Sequence, residues 1–330
     1  QAYLKSYYNM LLWRKFEEKC AALYIQQKIR GFLHLYNGQE AILSGLINSI
    51  DVKKDKVITA YRCHVLPIAM GLHPKYVMAE LLGKSTGSSK GKGGSMHMFA
   101  PSKHFWGGHG IVAAQVPIGA GIAFANKYRK EKRICLTFIG DGAMNGGQVF
   151  ESFNMASLWK LPVIFIIENN HYAMGTSVPR GASGELYKRG EPFGIPCEKV
   201  DGMDFLAVHD AIQKAAEHCR SGKGPYLLEV DTYRYRGHSM SDPAKYRSRE
   251  EVDSIRDKRD PINKLGEYLK AEHKVKDVEL KELFKIDQVL DMACSPDGRY
   301  LLMSALQHGQ SDLYRYDIVA NNHTPLWRDR

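Results

Sequence analysis

Apolar and polar positions alternate in two registers along this chain, and their sequence sets the outline of the fold. The blocks 134–139 and 161–167 are short, rich in β-branched residues and bounded by breakers, the pattern of strands buried on both faces. Between them Val149, Phe150, Phe153 and Ala156 recur at helical spacing, so the unit reads β-turn-α-β. Upstream, Leu4, Tyr7, Leu11, Phe16, Cys20 and Leu23 predict one amphipathic helix over 3–30, ended by Gly31 and packed on a partner or on the sheet. A loop, Phe32 to Gly38, leads to a second helix over 39–50 and a strand over 56–61. Helices over 115–128 and 204–219, the latter capped by Asp204, and a strand over 226–233 complete the outline.

A right-handed crossover between the blocks at 134–139 and 161–167 makes them parallel strands with their carboxyl ends on one edge. Asp141 leaves the first strand and Asn170 the second, at a sheet edge where ligands of open α/β sheets bind. Neighbouring strands lie about 4.8 Å apart, so one small ion can touch both side chains. A carboxylate, a carboxamide oxygen and a nearby main-chain carbonyl are hard ligands that suit Mg²⁺ together with a diphosphate. The flanking Gly140 and Gly142 allow a phosphate close to the backbone. No cysteine or histidine cluster points to zinc. The strand over 56–61 delivers Tyr61 and Arg62 to the same edge, and the planar fork of an arginine fits phosphate oxygens.

Two glycine-rich stretches imitate nucleotide motifs and fail. Gly83-Lys84-Ser85 ends like a phosphate-binding loop, but Met78 stands where its first glycine belongs and a helical stretch precedes it where a strand is required. Residues 83–95 are therefore loop. Gly119 and Gly121 hint at a dinucleotide fingerprint, but Phe124 replaces the third glycine and no strand is expected to lead in. Their small side chains instead predict a helix packed closely on the sheet.

Composition narrows the class. With 330 residues, 44% hydrophobic and 25% charged, the chain has enough apolar content for a sizeable core. No apolar run approaches the roughly 20 residues of a membrane helix. The formal charge is +10, but the basic residues are scattered without interleaved aromatics, which favours small anionic ligands over nucleic acid. Six cysteines lie far apart with no C-x-x-C pair, as expected in a reducing compartment.

Gly140-Asp141-Gly142 followed by Asn169-Asn170 is similar to the magnesium and diphosphate signature of thiamine diphosphate enzymes. From about Leu12 to Leu283 the chain also resembles the pyruvate dehydrogenase alpha subunit family, the first component of 2-oxo acid dehydrogenase complexes. The resemblance rests on stretches such as His34-Leu-Tyr-Asn-Gly-Gln-Glu, Gly107-Gly-His-Gly-Ile-Val, Glu168-Asn-Asn-His-Tyr-Ala-Met-Gly and Thr232-Tyr-Arg-Tyr-Arg-Gly-His-Ser-Met-Ser-Asp-Pro. It implies an α/β, three-layer thiamine diphosphate-binding fold with a mostly parallel central sheet. It also implies Mg²⁺ held by Asp141, Asn170 and the carbonyl of Tyr172, and thiamine diphosphate bound by Tyr61, Arg62, Gly142, Ala143 and His238, with Gly110 and Val112 facing the aminopyrimidine. His34 and His238 are the implied catalytic residues, and Ser239 aligns with a serine that kinases modify.

The implied partners are a beta subunit, which supplies the activating glutamate, and a lipoyl-bearing acyltransferase. The implied compartment is the cytoplasm of a bacterium or the mitochondrial matrix of a eukaryote. Text around 173–178 and 236–243 resembles the pyruvate branch rather than the branched-chain or acetoin branches. One departure is Met144-Asn145-Gly146-Gly147 in place of the usual Ala-Asn-Gln-Gly, which removes a glutamine beside the metal loop. Residues 1–285 read as the cofactor domain. Residues 286–330 leave the family pattern and, through Ser-Pro-Asp-Gly at 295–298, resemble one blade of a TolB-type β-propeller, foreign to the rest or poorly ordered. The alternative reading is a catalytically silent fusion whose tail serves protein interaction.

Overall fold

The computed structural model describes residues 2–276, residue 280 and the backbone of four strands between 288 and 328. Six parallel strands form the central sheet: β1 Lys56–Ala60, β2 Phe105–His109, β3 Cys135–Gly140, β4 Val163–Asn169, β7 Cys197–Asp201 and β8 Tyr226–Asp231. Their spatial order is β2-β1-β3-β4-β8-β7, and every pairing is parallel. The central strands β3 and β4 are buried on both faces, as their unbroken apolar text requires. The pairing of Gly140 with Glu168 places Asp141 and Asn170 at adjacent strand ends. The hairpin strands β5 Tyr172–Ala173 and β6 Thr176–Ser177 follow at once.

Helices cover both faces. On one side lie α1 Ala2–Ile25, α2 Glu40–Ser49, α3 Val65–Ala69, α4 Pro74–Leu81, α8 Phe205–Arg220 and α10 Pro261–His273, in the larger of two apolar clusters. On the other, α5 Gln115–Tyr128 and α6 Gly147–Leu158 pack over β1, β3 and β4. The short α7 Val178–Gly181 and the charged α9 Arg249–Arg259 lie outside these layers, α9 without a buried residue. This is the expected three-layer α/β arrangement. The tail adds an antiparallel sheet of β9 Gln288–Cys294, β10 Tyr300–Gln307, β11 Gln310–Asp317 and β12 Asn322–Arg328, the short all-β appendage expected there. The Ser-Pro-Asp-Gly sequence at 295–298, on which the propeller-blade resemblance rests, lies outside the described residues. Among the described residues no helix is long and apolar enough to cross a membrane, and Cys20, Cys63, Cys135, Cys197 and Cys219 are free thiols.

Several elements depart from expectation. Helix α1 stops at Ile25 rather than near Gly31, because Gln27 already takes φ +60° and turns the chain. It packs mainly on α2, α3 and α10 and buries residues around most of its circumference, from Met10 and Trp13 to the polar Arg14 and Glu17. Arg14 is matched there by Glu40 and by Asp260 at 3.0 Å. A strand, β2, does precede α5, contrary to expectation. Gly119 and Gly121 nevertheless lie in the helix interior, not in the strand-helix turn that a dinucleotide needs. Gly119 is required for packing, since a Cβ there would sit 2.0 Å from Oγ1 of Thr137, whereas one at Gly121 would meet open space. Asp204 caps α8 as expected, accepting from the amides of Leu206 and Ala207.

The loop over 83–95 is a loop, and helix α4 leads into it. Its amides do surround an anion, but the anion is internal. The Glu80 carboxylate, 1% exposed, accepts from the amides of Ser89, Gly91, Gly93 and Gly94 at 2.7–3.1 Å. A phosphate-like cradle is thus filled by a side chain.

Candidate functional site

A cavity of about 800 Å³ opens at the carboxyl edge of the sheet, and all eleven residues singled out from the sequence line it. β1 delivers Tyr61 and Arg62, β2 leads to Gly110 and Val112, and β3 runs into Asp141, Gly142 and Ala143. β4 ends beside Asn170 and Tyr172, the loop after β8 brings His238, and the segment before α2 brings His34. The strand order explains the convergence. Between β1 and β3 the sheet reverses its direction of winding, and a crevice opens at such a switch point.

The Asp141 carboxylate is 4% exposed. Its Oδ1 accepts from the Gly142 amide at 2.6 Å, and its Oδ2 is buried without a partner. Burial pushes this carboxyl up from its ordinary range, opposed by the Gly142 amide and by the charges of Arg234, His171 and Arg62. An acceptor oxygen left bare in a cavity is what a bound cation satisfies. Gly142 has to be glycine because the hairpin after β4 passes over it: a Cβ would lie 2.4 Å from that of Ala173. At Gly140 a Cβ would meet nothing within 4 Å, which leaves ligand space along the wall.

Arg234 is a residue that the sequence reading passed over. It is 1% exposed, and its Nη1 donates to the Tyr172 carbonyl at 2.9 Å and, at 3.5 Å, to Oδ1 of Asn170. Two of the three oxygens expected around a cation therefore lie within reach of one nitrogen. Each oxygen keeps a lone pair for a second partner. The donor set of carboxylate, carboxamide and peptide oxygens fits Mg²⁺, and among the described residues no cluster of histidine, cysteine and acidic side chains suits a softer metal. Arg234 also donates to the carbonyl of Met174 and the hydroxyl of Tyr246. Arg62 donates to the carbonyls of Leu35 and His238 at 2.6 and 3.0 Å, and burial beside Arg234 lowers its pKa to about 10. Two buried guanidinium groups thus face the cavity, a field that favours a diphosphate.

The rings of His34, Tyr61 and His238 form a triangle with centroids 4.7, 5.1 and 5.5 Å apart. Both histidines have a buried Nδ1 without a partner. Burial and the nearby Arg62 hold His34 at about 2 and His238 at about 4, so both rings are neutral at physiological pH. Ser239 is 6% exposed, with its hydroxyl bonded to that of Ser241. Glu168, at the end of β4, is pushed up to about 7 by burial, against the Tyr36 hydroxyl and Arg62.

These histidines give a pH prediction for the ligand-free chain. The unfolded chain takes up protons near the ordinary value of 6.5, while the native chain refuses them until far lower pH, so stability falls as pH drops from 6.5. At pH 5 the loss is about 2 kcal/mol for His34, and less for the more open, solvent-screened His238. Urea midpoints at pH 7.5 and 5 measure it, and His34→Gln is expected to flatten the dependence.

The family described as dehydrogenase E1 component matches residues 8–290. A pyruvate dehydrogenase E1 component subunit alpha from Rickettsia bellii (strain RML369-C) is 54% identical over 284 residues, 86% of either chain. The protein of the same name from Rhizobium meliloti (strain 1021) is 56% identical over 283 residues, 86% of this chain and 81% of that one. The mitochondrial one from Dictyostelium discoideum is 56% identical over 263 residues, 79% and 68%. With a matched span that takes in every strand of the central sheet and every residue of the cavity, the chain belongs to the dehydrogenase E1 component family.

Proposed function

We propose that this chain is the alpha subunit of a pyruvate dehydrogenase. In this reading it decarboxylates pyruvate oxidatively and passes the acetyl group to a lipoyl group on an acyltransferase. It works with thiamine diphosphate and Mg²⁺, and only with a beta subunit that supplies the activating glutamate. The observation that carries the reading is the convergence of the eleven residues named from the sequence on one cavity whose bare Asp141 oxygen and two buried arginines suit a cation and a diphosphate.

Asp141, Asn170 and the Tyr172 carbonyl would hold the cation, and Tyr61, Arg62, Gly142 and Ala143 the diphosphate. Gly110 and Val112 would line the aminopyrimidine site. When bound, thiamine diphosphate supplies a nucleophilic ring carbon and a cationic ring that takes up the electrons released with carbon dioxide. The chain's part is placement and electrostatics. Arg234 braces the two neutral cation ligands. His34 and His238, held neutral, can each donate or accept one hydrogen bond toward a 2-oxo acid without carrying charge into the site. A partner chain is supported by the exposed apolar side chains Ile111 and Val112, at the cavity rim, and Ile118, Phe124 and Tyr128 on α5. The compartment in this reading is the bacterial cytoplasm or the mitochondrial matrix.

Co-expression with a beta-type chain tests it. Pyruvate-dependent acetyl transfer to a lipoyl domain is expected only with both chains, thiamine diphosphate and Mg²⁺, and weakly or not at all with branched-chain 2-oxo acids or acetoin. Co-purification without thiamine-dependent turnover of any of these substrates would leave the silent-fusion reading standing.

A further inference from the structure

Behind the cation site runs a buried hydrogen-bonded chain that the mechanism above does not use. The Tyr36 hydroxyl donates to Oε1 of Glu168. Nε2 of Gln39 donates to the same oxygen at 3.4 Å, and Oε1 of Gln39 accepts from Nδ2 of Asn170 at 3.1 Å. Tyr36, Gln39, Glu168 and Asn170 are all at most 9% exposed, and Gln39 is fully buried.

The chain has a direction. A carboxamide has a donor end and an acceptor end of nearly the same shape, and burial alone does not choose between them. Oε1 of Glu168 accepts from both neighbours, so Gln39 must turn its NH₂ toward Glu168 and its oxygen toward Asn170. Asn170 must then turn its NH₂ toward Gln39, which leaves Oδ1 pointing to the cavity and to Arg234. The reversed Asn170 would present two N–H groups to the cation.

We propose that Gln39, with its orientation set by Glu168, is a positioning residue that fixes the carboxamide of Asn170 with its oxygen toward the metal. The proposal rests on the reading of Asn170 as a cation ligand. Partners of this kind cost roughly 10- to 100-fold in metal affinity when removed.

The test is Mn²⁺ binding, followed by electron paramagnetic resonance in the presence of thiamine diphosphate, on the chain assembled with its beta-type partner. Four proteins are compared: wild type, Gln39→Leu, Asn170→Asp and the double variant. Gln39→Leu is expected to weaken Mn²⁺ binding about tenfold or more. In the Asn170→Asp background it is expected to do so by less than about twofold, because a carboxylate presents oxygen whichever way it turns. Glu168→Gln, which lets the relay reverse, should weaken binding without changing volume. Equal losses from Gln39→Leu in both backgrounds would mean a packing role only and overturn the proposal. A wild type that binds no Mn²⁺ with thiamine diphosphate would overturn the cation reading itself. Gln39→Met, closer in shape, serves if the leucine variant does not fold.

Discussion

Asp141→Ala is expected to abolish the stabilisation that thiamine diphosphate and Mg²⁺ together give the assembled protein, and to lower pyruvate turnover by about a thousandfold. A bound cation contributes several kcal/mol of charge stabilisation, and each 1.4 kcal/mol is tenfold in rate. With ligand at about a hundred times its dissociation constant, wild type should gain about 2.7 kcal/mol, a rise in melting temperature of roughly 4 °C. The variant should show no rise. Its ligand-free melting temperature should stay level or increase, because the substitution removes a buried carboxylate whose Oδ2 has no partner. This pairing separates loss of a ligand from loss of fold. A variant that keeps the full ligand-induced rise would remove Asp141 from the cation site.

Glu80→Ala is expected to be strongly destabilising, although Glu80 lies outside the cavity. Four amides lose their acceptor at once, and an unsatisfied buried donor costs about 1–3 kcal/mol. Water entering the opened loop recovers part of this, so a net loss of about 3–5 kcal/mol is expected, or roughly 4–7 °C in melting temperature. Glu80→Gln should fall between the two, since its amide keeps one acceptor and turns N–H groups toward donors. The damage should reach the cavity, because the same loop leads to Ser95. The Ser95 hydroxyl accepts from the His34 amide at 3.2 Å and meets Nε2 of His64 at 2.7 Å, and His64 is held in turn by Glu17. Faster proteolytic cleavage between 83 and 95 would accompany the loss. An unchanged melting temperature would show that the amides find water as readily as Glu80.

The sequence made the centre of the molecule legible and its margins less so. β3 and β4 stand out because strands buried on both faces need unbroken apolar text, and Asp141 and Asn170 follow from where those strands end. The sheet edges do not stand out. β2 is Phe-Trp-Gly-Gly-His and β7 is Cys-Glu-Lys-Val-Asp, and an edge strand has no need of continuous hydrophobicity. The end of α1 was misplaced because a non-glycine residue, Gln27, takes the left-handed turn. Arg234 was hidden among the arginines of one loop. Its neighbour Arg236 is exposed, and only the folded path decides which of the two turns inward. Glu80 could not be found either, because a lone glutamate on a helix carries no mark that a glycine loop will close around it.

Arg62 and Arg234 have a bearing on how long the chain survives in a cell. Among the described residues neither is hydrogen-bonded to a carboxylate, and Arg234 lies close enough to disfavour the charge of Arg62. The empty protein bears that repulsion until a polyanion arrives, and whatever relieves it shifts the balance away from opened, protease-sensitive forms. Vitamin scarcity would then be felt as shorter half-life before it is felt as slower turnover of the remaining molecules.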